Sequence, residues 1–289
     1  MAKFLIIGPL TRDRIVKKDS EYQSIGGAVY YQSAVFSYLG IDNTVITTLA
    51  EKDKDLVDDL PEATEVIPIY TDSTMEFQNI YPNNNPNYRI QKAFIPENPI
   101  RPENLFNIDL KVFDALLLCP LSSTDIPLNT LKYLAQWNIP IYLGAQGYLR
   151  HKENGKVVLK PWYNYKKFLN FIQLLFIDEM EASIILGVSD EGCGEVTRKL
   201  SSFGPEEVIV TRGDQGVFIY SKKDVNGNFY HVPAIHPHKI IDPTGLGDTF
   251  MAAYAARRIE SDDPEDCGIF ASRISSLKME QKGALKLND

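Results

Sequence analysis

Cysteine is scarce in this chain, with Cys119, Cys193 and Cys267 the only three among 289 residues. Odd in number and far apart, they make neither a Cys-x-x-Cys pair nor a disulfide framework, which fits a reducing, cytoplasmic setting. Long apolar runs are missing too, and none approaches the roughly 18 residues of a membrane helix. Phe4-Leu5-Ile6-Ile7 is soon followed by Arg12, Asp13 and Arg14 with no small-residue cleavage site, so it reads as a buried strand and not as a targeting signal. Basic charge is in deficit: 30 Lys and Arg face 38 Asp and Glu, a formal net charge of −8. Without a broad cationic face, neither nucleic acid nor an anionic membrane surface is an expected partner. No repeat, low-complexity tract or linker divides residues 1–289, which read as one domain of ordinary globular composition, 44% apolar and 24% charged.

What is present is an alternation. Short runs rich in branched apolar residues at 4–7, 44–49, 115–119, 140–143, 174–177, 208–211 and 217–220 read as strands, several buried on both faces. Helical patterns lie between and after them at 29–39, 128–137, 180–186, 196–203 and 249–259, with Gly40 and Gly187 at C-cap positions. Strand and helix in turn predict an α/β fold, a doubly wound, mostly parallel sheet flanked by helices, with ligands outside the carboxyl ends of its strands. Two stretches break the pattern, at about 14–25 and 66–95. The second has hairpin punctuation around Pro82-Asn83-Asn84-Asn85-Pro86, so a small β-strand flap inserted in the body is expected.

The sharpest motif is Asp242-Pro243-Thr244-Gly245-Leu246-Gly247-Asp248, leading into the small-residue helix that follows. Glycines at a helix start let the backbone approach a ligand, and free N–H groups at the positive dipole end bind an anion. Asp248 then sits in the first helical turn. There it can accept a proton from an attacking hydroxyl while the amides stabilise a moving phosphoryl group. A plain strand–turn–helix junction, with Asp248 as a helix-stabilising acid, is the alternative.

Taken with four further elements, this segment resembles the C-terminal signature of the ribokinase-like (PfkB) carbohydrate kinases, Asp-Thr-x-Gly-x-Gly-Asp, with Pro243 at the second position. The other elements are Gly8 followed by Asp13, the Gly26-Gly27 pair before a helix ending at Leu39-Gly40, Thr211-Arg212-Gly213 with Gly216, and Asp178–Glu181 where the family has Asn-x-x-Glu. The resemblance implies a kinase that uses ATP and Mg²⁺, with a monovalent-cation requirement left open, on a hydroxyl of a sugar, nucleoside or cyclitol. It implies Asp248 as general base, with Gly245, Gly247 and the amides after Thr244 as the anion hole. Asp13, Gly26, Gly27 and Tyr31 would serve the substrate, Thr211, Gly213, Gly216, Thr244 and Asp178 the nucleotide, and Glu181 a water of the metal shell; the alternatives are a surface turn aspartate for Asp13, a capped helix start for Asp178 and Glu181, and plain hairpin turns at Thr211, Gly213 and Gly216. The flap would be a lid, and its open edges could pair two copies of the chain into a homodimer.

Departures bear on the substrate. Tyr31 stands where the family has Asn, beside Tyr30, which suits either an acceptor with a flat face or helix packing. Asp178 replaces an amide, and Gly144 stands where related members carry an acid. The stretch Gln146-Gly147-Tyr148-Leu149-Arg150, together with Pro120-Leu121-Ser122, resembles the inositol and nucleoside kinase branches more than ribokinase; Arg150 itself reads as a solvated arginine or as one that meets substrate or phosphate. A dinucleotide-binding dehydrogenase is disfavoured because no Gly-x-Gly-x-x-Gly turn follows the first strand. A catalytically weak or inactive sensor on the same fold stays as the alternative, argued against by an intact Asp248 with both glycines.

Overall fold

The structure, a computed structural model, describes residues 2–18, 20–80, 90–153, 155–188, 192–223 and 227–286. The chain opens with strand β1 (Lys3–Ile7), the antiparallel pair β2 (Thr11–Lys17) and β3 (Ser20–Gly26), and helix α1 (Ala28–Tyr38). Strands β4 (Asp42–Ala50), β5 (Thr64–Thr71), β6 (Met75–Ile80), β7 (Ile90–Phe94) and β8 (Ala115–Leu118) follow, then α2 (Leu128–Ala135) and β9 (Ile141–Gly144). After the short α3 (Gln146–Leu149) come β10 (Arg150–Glu153), β11 (Lys156–Leu159) and α4 (Tyr165–Leu169). The remaining elements are β12 (Leu174–Asp178), α5 (Glu179–Leu186), α6 (Cys193–Ser201), β13 (Glu207–Thr211), β14 (Val217–Ser221), β15 (Asn228–Val232), α7 (Leu246–Glu260) and α8 (Pro264–Met279).

Nine strands form the main sheet in the order β15-β14-β13-β12-β9-β8-β1-β4-β5. From β13 to β5 neighbours run parallel, and β14 and β15 close one edge antiparallel. Helices cover both faces, so inner strands must be apolar on both sides. In β1, Phe4 and Ile6 enter a core shared with α1, α7 and α8, while Leu5 and Ile7 enter one shared with α2, α5 and α6. This is the doubly wound arrangement the alternation implied. Among the described residues no helix is long and apolar enough to cross a membrane.

A second, six-stranded sheet runs β10-β11-β7-β6-β2-β3. In β6, Met75, Phe77 and Asn79 are buried while Glu76 between them is exposed, the period of a strand with one covered face. Met75, Phe77 and Ala93 pack on Leu121, which follows β8, so the small sheet rests beside the carboxyl ends of the main strands.

Of the expected flap segments, 14–25 lies within β2 and β3 of the small sheet, whereas 66–95 is divided between the two sheets. β5 belongs to the main sheet, paired with β4 from Asn43↔Thr64 to Ala50↔Thr71. Pro68 within it is tolerated because β5 is the edge strand. The hairpin β10–β11 is a third piece, joined through β7. Its strands are four residues each and largely exposed, with too little apolar alternation to announce them. The turn expected at residues 82–86 lies outside the described residues.

Candidate active site

The carboxyl ends of β9, β12 and β13, the starts of α1 and α7, and the inner face of the small sheet converge on one cleft of about 360 Å³. Asp13, Gly27, Tyr31, Asp178, Glu181, Thr211, Thr244, Gly245, Gly247 and Asp248 all line it, drawn together from across the whole chain.

Asp248 lies in the first turn of α7, whose Gly245 N-cap is left-handed (φ 75°) and which has no side-chain cap. The first intrahelical bond shown there runs from Thr249 N to Gly245 O at 2.9 Å, so the N–H groups of the preceding turn have no partner within the helix. Asp248 keeps some exposed surface toward the cleft, but its carboxyl is densely surrounded by protein. Burial pushes its pKa up to about 6, opposed by the charges of Arg150 and Lys278.

The glycines of this turn do different things. A Cβ on Gly245 would meet the Tyr31 ring at 2.3 Å, so Gly245 makes room for an aromatic wall. A Cβ on Gly247 would meet nothing within 4 Å, because it faces the open cleft. Gly26 likewise clears space for a side chain: its Cβ would lie 2.7 Å from the Asp13 carboxylate. Gly27, at φ 99°, would meet Pro9 O at 2.5 Å.

Asp13 is buried and set in a polar row. Thr11 Oγ1 donates to its Oδ1 at 2.7 Å, Asn79 Nδ2 approaches Oδ2 at 3.5 Å, and Gln91 Nε2 donates to Asn79 Oδ1 at 2.9 Å. Such a row presents carboxylate and amide groups to a polyhydroxylated ligand. Tyr31 is buried at the cleft wall beside Tyr30, with ring centroids 5.1 Å apart. Tyr30 turns instead toward the C-terminal segment, where its hydroxyl accepts from Ala284 N at 3.4 Å.

Asp178 and Glu181 form a capping box at the start of α5. Glu181 N donates to Asp178 Oδ1 at 2.7 Å and Asp178 N to Glu181 Oε2 at 3.1 Å. Burial, then the neighbouring Asp178, raises the pKa of Glu181; Asp178 is raised chiefly by burial. Two adjacent carboxylates crowded into a cleft suit a hard cation that takes few protein ligands, which is the donor set Mg²⁺ prefers. The structural and metal-side readings of this pair are therefore compatible.

Thr211 pairs with Asp178 across β12–β13 and lines the cleft. Gly213 and Gly216 lie in the turn beyond it and are not among the lining residues. A Cβ on Gly216 would stand 2.1 Å from Val232 O, so that glycine serves the packing of β14 beside β15. Arg150, read either as solvated or as meeting substrate or phosphate, lines the cleft with its guanidinium carbon 5.4 Å from the Phe77 ring centroid. Its charge opposes the upward shifts at Asp248, Asp178 and Glu181. Thr11 and Gln91 also went unassigned in the sequence; only Thr11, two residues before Asp13 and so on the same strand face, carried a signal.

Residues 148–289 match the pfkB family carbohydrate kinase profile. A cytidine kinase of Thermococcus kodakarensis is 33% identical over 104 residues, 35% of this chain and 35% of that protein. A ribokinase of Arabidopsis thaliana is 32% identical over 124 residues, 41% of this chain and 31% of its own length. The chain thus spans about a third of the curated relatives it matches. A solved pyrophosphate-dependent kinase in the ribokinase family, complexed with a pyrophosphate analogue and myo-inositol, superposes with a TM-score of 0.83 at 25% identity, covering 98% of this chain and 97% of that one.

Proposed function

From the premise that this chain belongs to the ribokinase-like (PfkB) carbohydrate kinase family, we propose that it transfers a terminal phosphoryl group to a hydroxyl of a cyclitol, sugar or nucleoside. The observation that carries this reading is the position of Asp248, recessed beside an uncapped helix start and lining the same cleft as Asp13. An acceptor held through its other hydroxyls by Asp13 and Asn79 presents one hydroxyl to Asp248, which takes the proton as the bond to phosphorus forms. The amides around Gly247, with Arg150, receive the charge of the moving phosphoryl group. Asp178 and Glu181 would hold the water shell of Mg²⁺, which supplies neutralisation of the donor phosphates. The small sheet acts as a lid over the acceptor, and its open edges are the place for a homodimer contact, checked by light scattering.

ATP is the donor expected from the family. Pyrophosphate is the second reading, favoured because a whole-length structural match is a pyrophosphate-dependent kinase. The test is a panel of cyclitols, sugars and nucleosides with each donor in turn, following ADP or orthophosphate release and the phosphate ester by ³¹P NMR. Ester formation with one donor supports the reading and names that donor. Ligand binding without any ester would leave the sensor in its place.

A further inference from the structure

Lys278, in the last turn of α8, is wholly buried and does not line the cleft. Its ammonium donates to the main-chain carbonyl of Asp242 at 2.7 Å and lies 3.9 Å from the carboxylate Oδ2 of the same residue. The Tyr31 ring centroid is 5.5 Å away. Two oxygens and an aromatic face make a cation site, and the cation in it is covalently part of the chain.

The segment it grips leads directly into the anion-binding turn. Asp242 accepts from Thr244 N at 2.9 Å and from Gly283 N at 3.0 Å, while Ile241 N and Asp242 N donate to Met279 O at 2.9 and 3.2 Å. Residues 241–244 are therefore stapled to the end of α8, and Gly245, Gly247 and Asp248 follow at once. We infer that Lys278 is the built-in counter-cation of this turn: it positions the anion hole, lends it positive charge, and takes the place that a free monovalent cation would fill. The inference rests on the proposed phosphoryl transfer, in which a chain of net charge −8 gathers Asp13, Asp178, Glu181 and Asp248 around an anionic donor, with Asp242 just behind the turn. Positive charge must be supplied locally, and Lys278 supplies it from behind the turn without blocking the cleft. Ion pairing with Asp242 and the nearby Asp248 favours the charged amine, although burial brings its pKa down to about 8. An ammonium has the charge and nearly the size of a potassium ion, so a soluble cation finds the Asp242 oxygens already engaged.

The first test uses the wild-type chain. With tetramethylammonium as the only monovalent cation, adding K⁺ or Na⁺ at constant ionic strength is expected to change kcat by less than about 2-fold. Activation of about 10-fold or more by K⁺ would overturn the inference, since a tenfold effect is a full 1.4 kcal/mol of transition-state stabilisation. Lys278→Ala is expected to lose about 10²-fold in kcat, the scale of one lost electrostatic contact, with the acceptor KM little changed. Methylammonium or K⁺ should restore part of that loss and tetramethylammonium none; absence of rescue means a merely structural lysine. If the alanine variant does not fold, Lys278→Gln keeps a hydrogen-bond donor without the charge, and wild-type kcat in it would also refute the role. Should no acceptor and donor pair give product, the functional reading fails separately. Calorimetric binding of pyrophosphate then decides: affinity unaffected by K⁺ in the wild type and lowered about 10-fold in Lys278→Gln supports the counter-cation, and equal affinities overturn it.

Discussion

The Tyr31 ring stands against the face of Gly245 where a Cβ would sit 2.3 Å from the nearest ring carbon. Helix α1 thereby sets the shape of the turn at the start of α7. A left-handed φ of 75° costs a non-glycine residue about 1–2 kcal/mol, and the clash adds to it. Gly245→Ala is expected to lower both the thermal midpoint and kcat. In Gly245→Ala/Tyr31→Ala the steric part is relieved, so the double variant should be more stable than the sum of the singles by thermal denaturation. Strict additivity would show that the two residues do not oppose each other.

Gly247→Val separates folding from anion binding. Nothing in the protein lies within 4 Å of the new Cβ, and valine has a slightly better helix propensity than glycine, so the fold should absorb it without loss of stability. The side chain projects into the cleft instead, and transfer should fall to background. Wild-type turnover in this variant would remove the turn from the anion-binding role.

Asp248→Asn should cost about 10²–10⁴-fold in kcat, the usual worth of a positioned base. In the wild type the base works only when ionised, so kcat/KM, which reports the free enzyme, should rise with pH through about 6 and level off above it. The stability sign is the reverse. A carboxyl whose folded pKa is raised binds its proton more tightly when folded, and so loses stability as pH rises from the unfolded value of about 3.9 toward 6. The asparagine variant avoids this, and its melting temperature at neutral pH should equal or exceed that of the wild type. A clear fall would mark Asp248 as structural.

Glu181→Gln keeps the capping box, because an amide oxygen can still accept from Asp178 N. Its melting temperature should stay close to wild type. The Mg²⁺ concentration for half-maximal rate should rise about 10-fold with the loss of one carboxylate. An unchanged magnesium titration would confine this residue to capping α5.

The inner strands of the main sheet were legible because each is sandwiched between two helical layers. Burial on both faces forces a continuous apolar run, and such runs at 4–7, 115–119 and 174–177 can hardly be anything else. The turn at 242–248 was equally open to reading, since glycines at a helix start followed by a first-turn acid are a local backbone signal. β5 and the β10–β11 hairpin were not. One is a half-buried edge and the other a pair of charged four-residue strands, and their sheet membership depends on partners far away in the chain.

The sequence by itself determined the alternating α/β architecture and the glycine turn that sets Asp248 in the first turn of a helix, because those follow from periodicity, glycine and a carboxylate within a few adjacent residues. Only the tertiary structure decided which long-range neighbours act on that turn. Whether Arg150 is solvated or meets a ligand is open until the cleft closes around it, and Lys278 reads as one more helix-end lysine until α8 docks behind Asp242. Proximity between residues 36 apart in sequence is created by packing, and it is packing that turns an exposed charge into a fixed electrostatic part of the site.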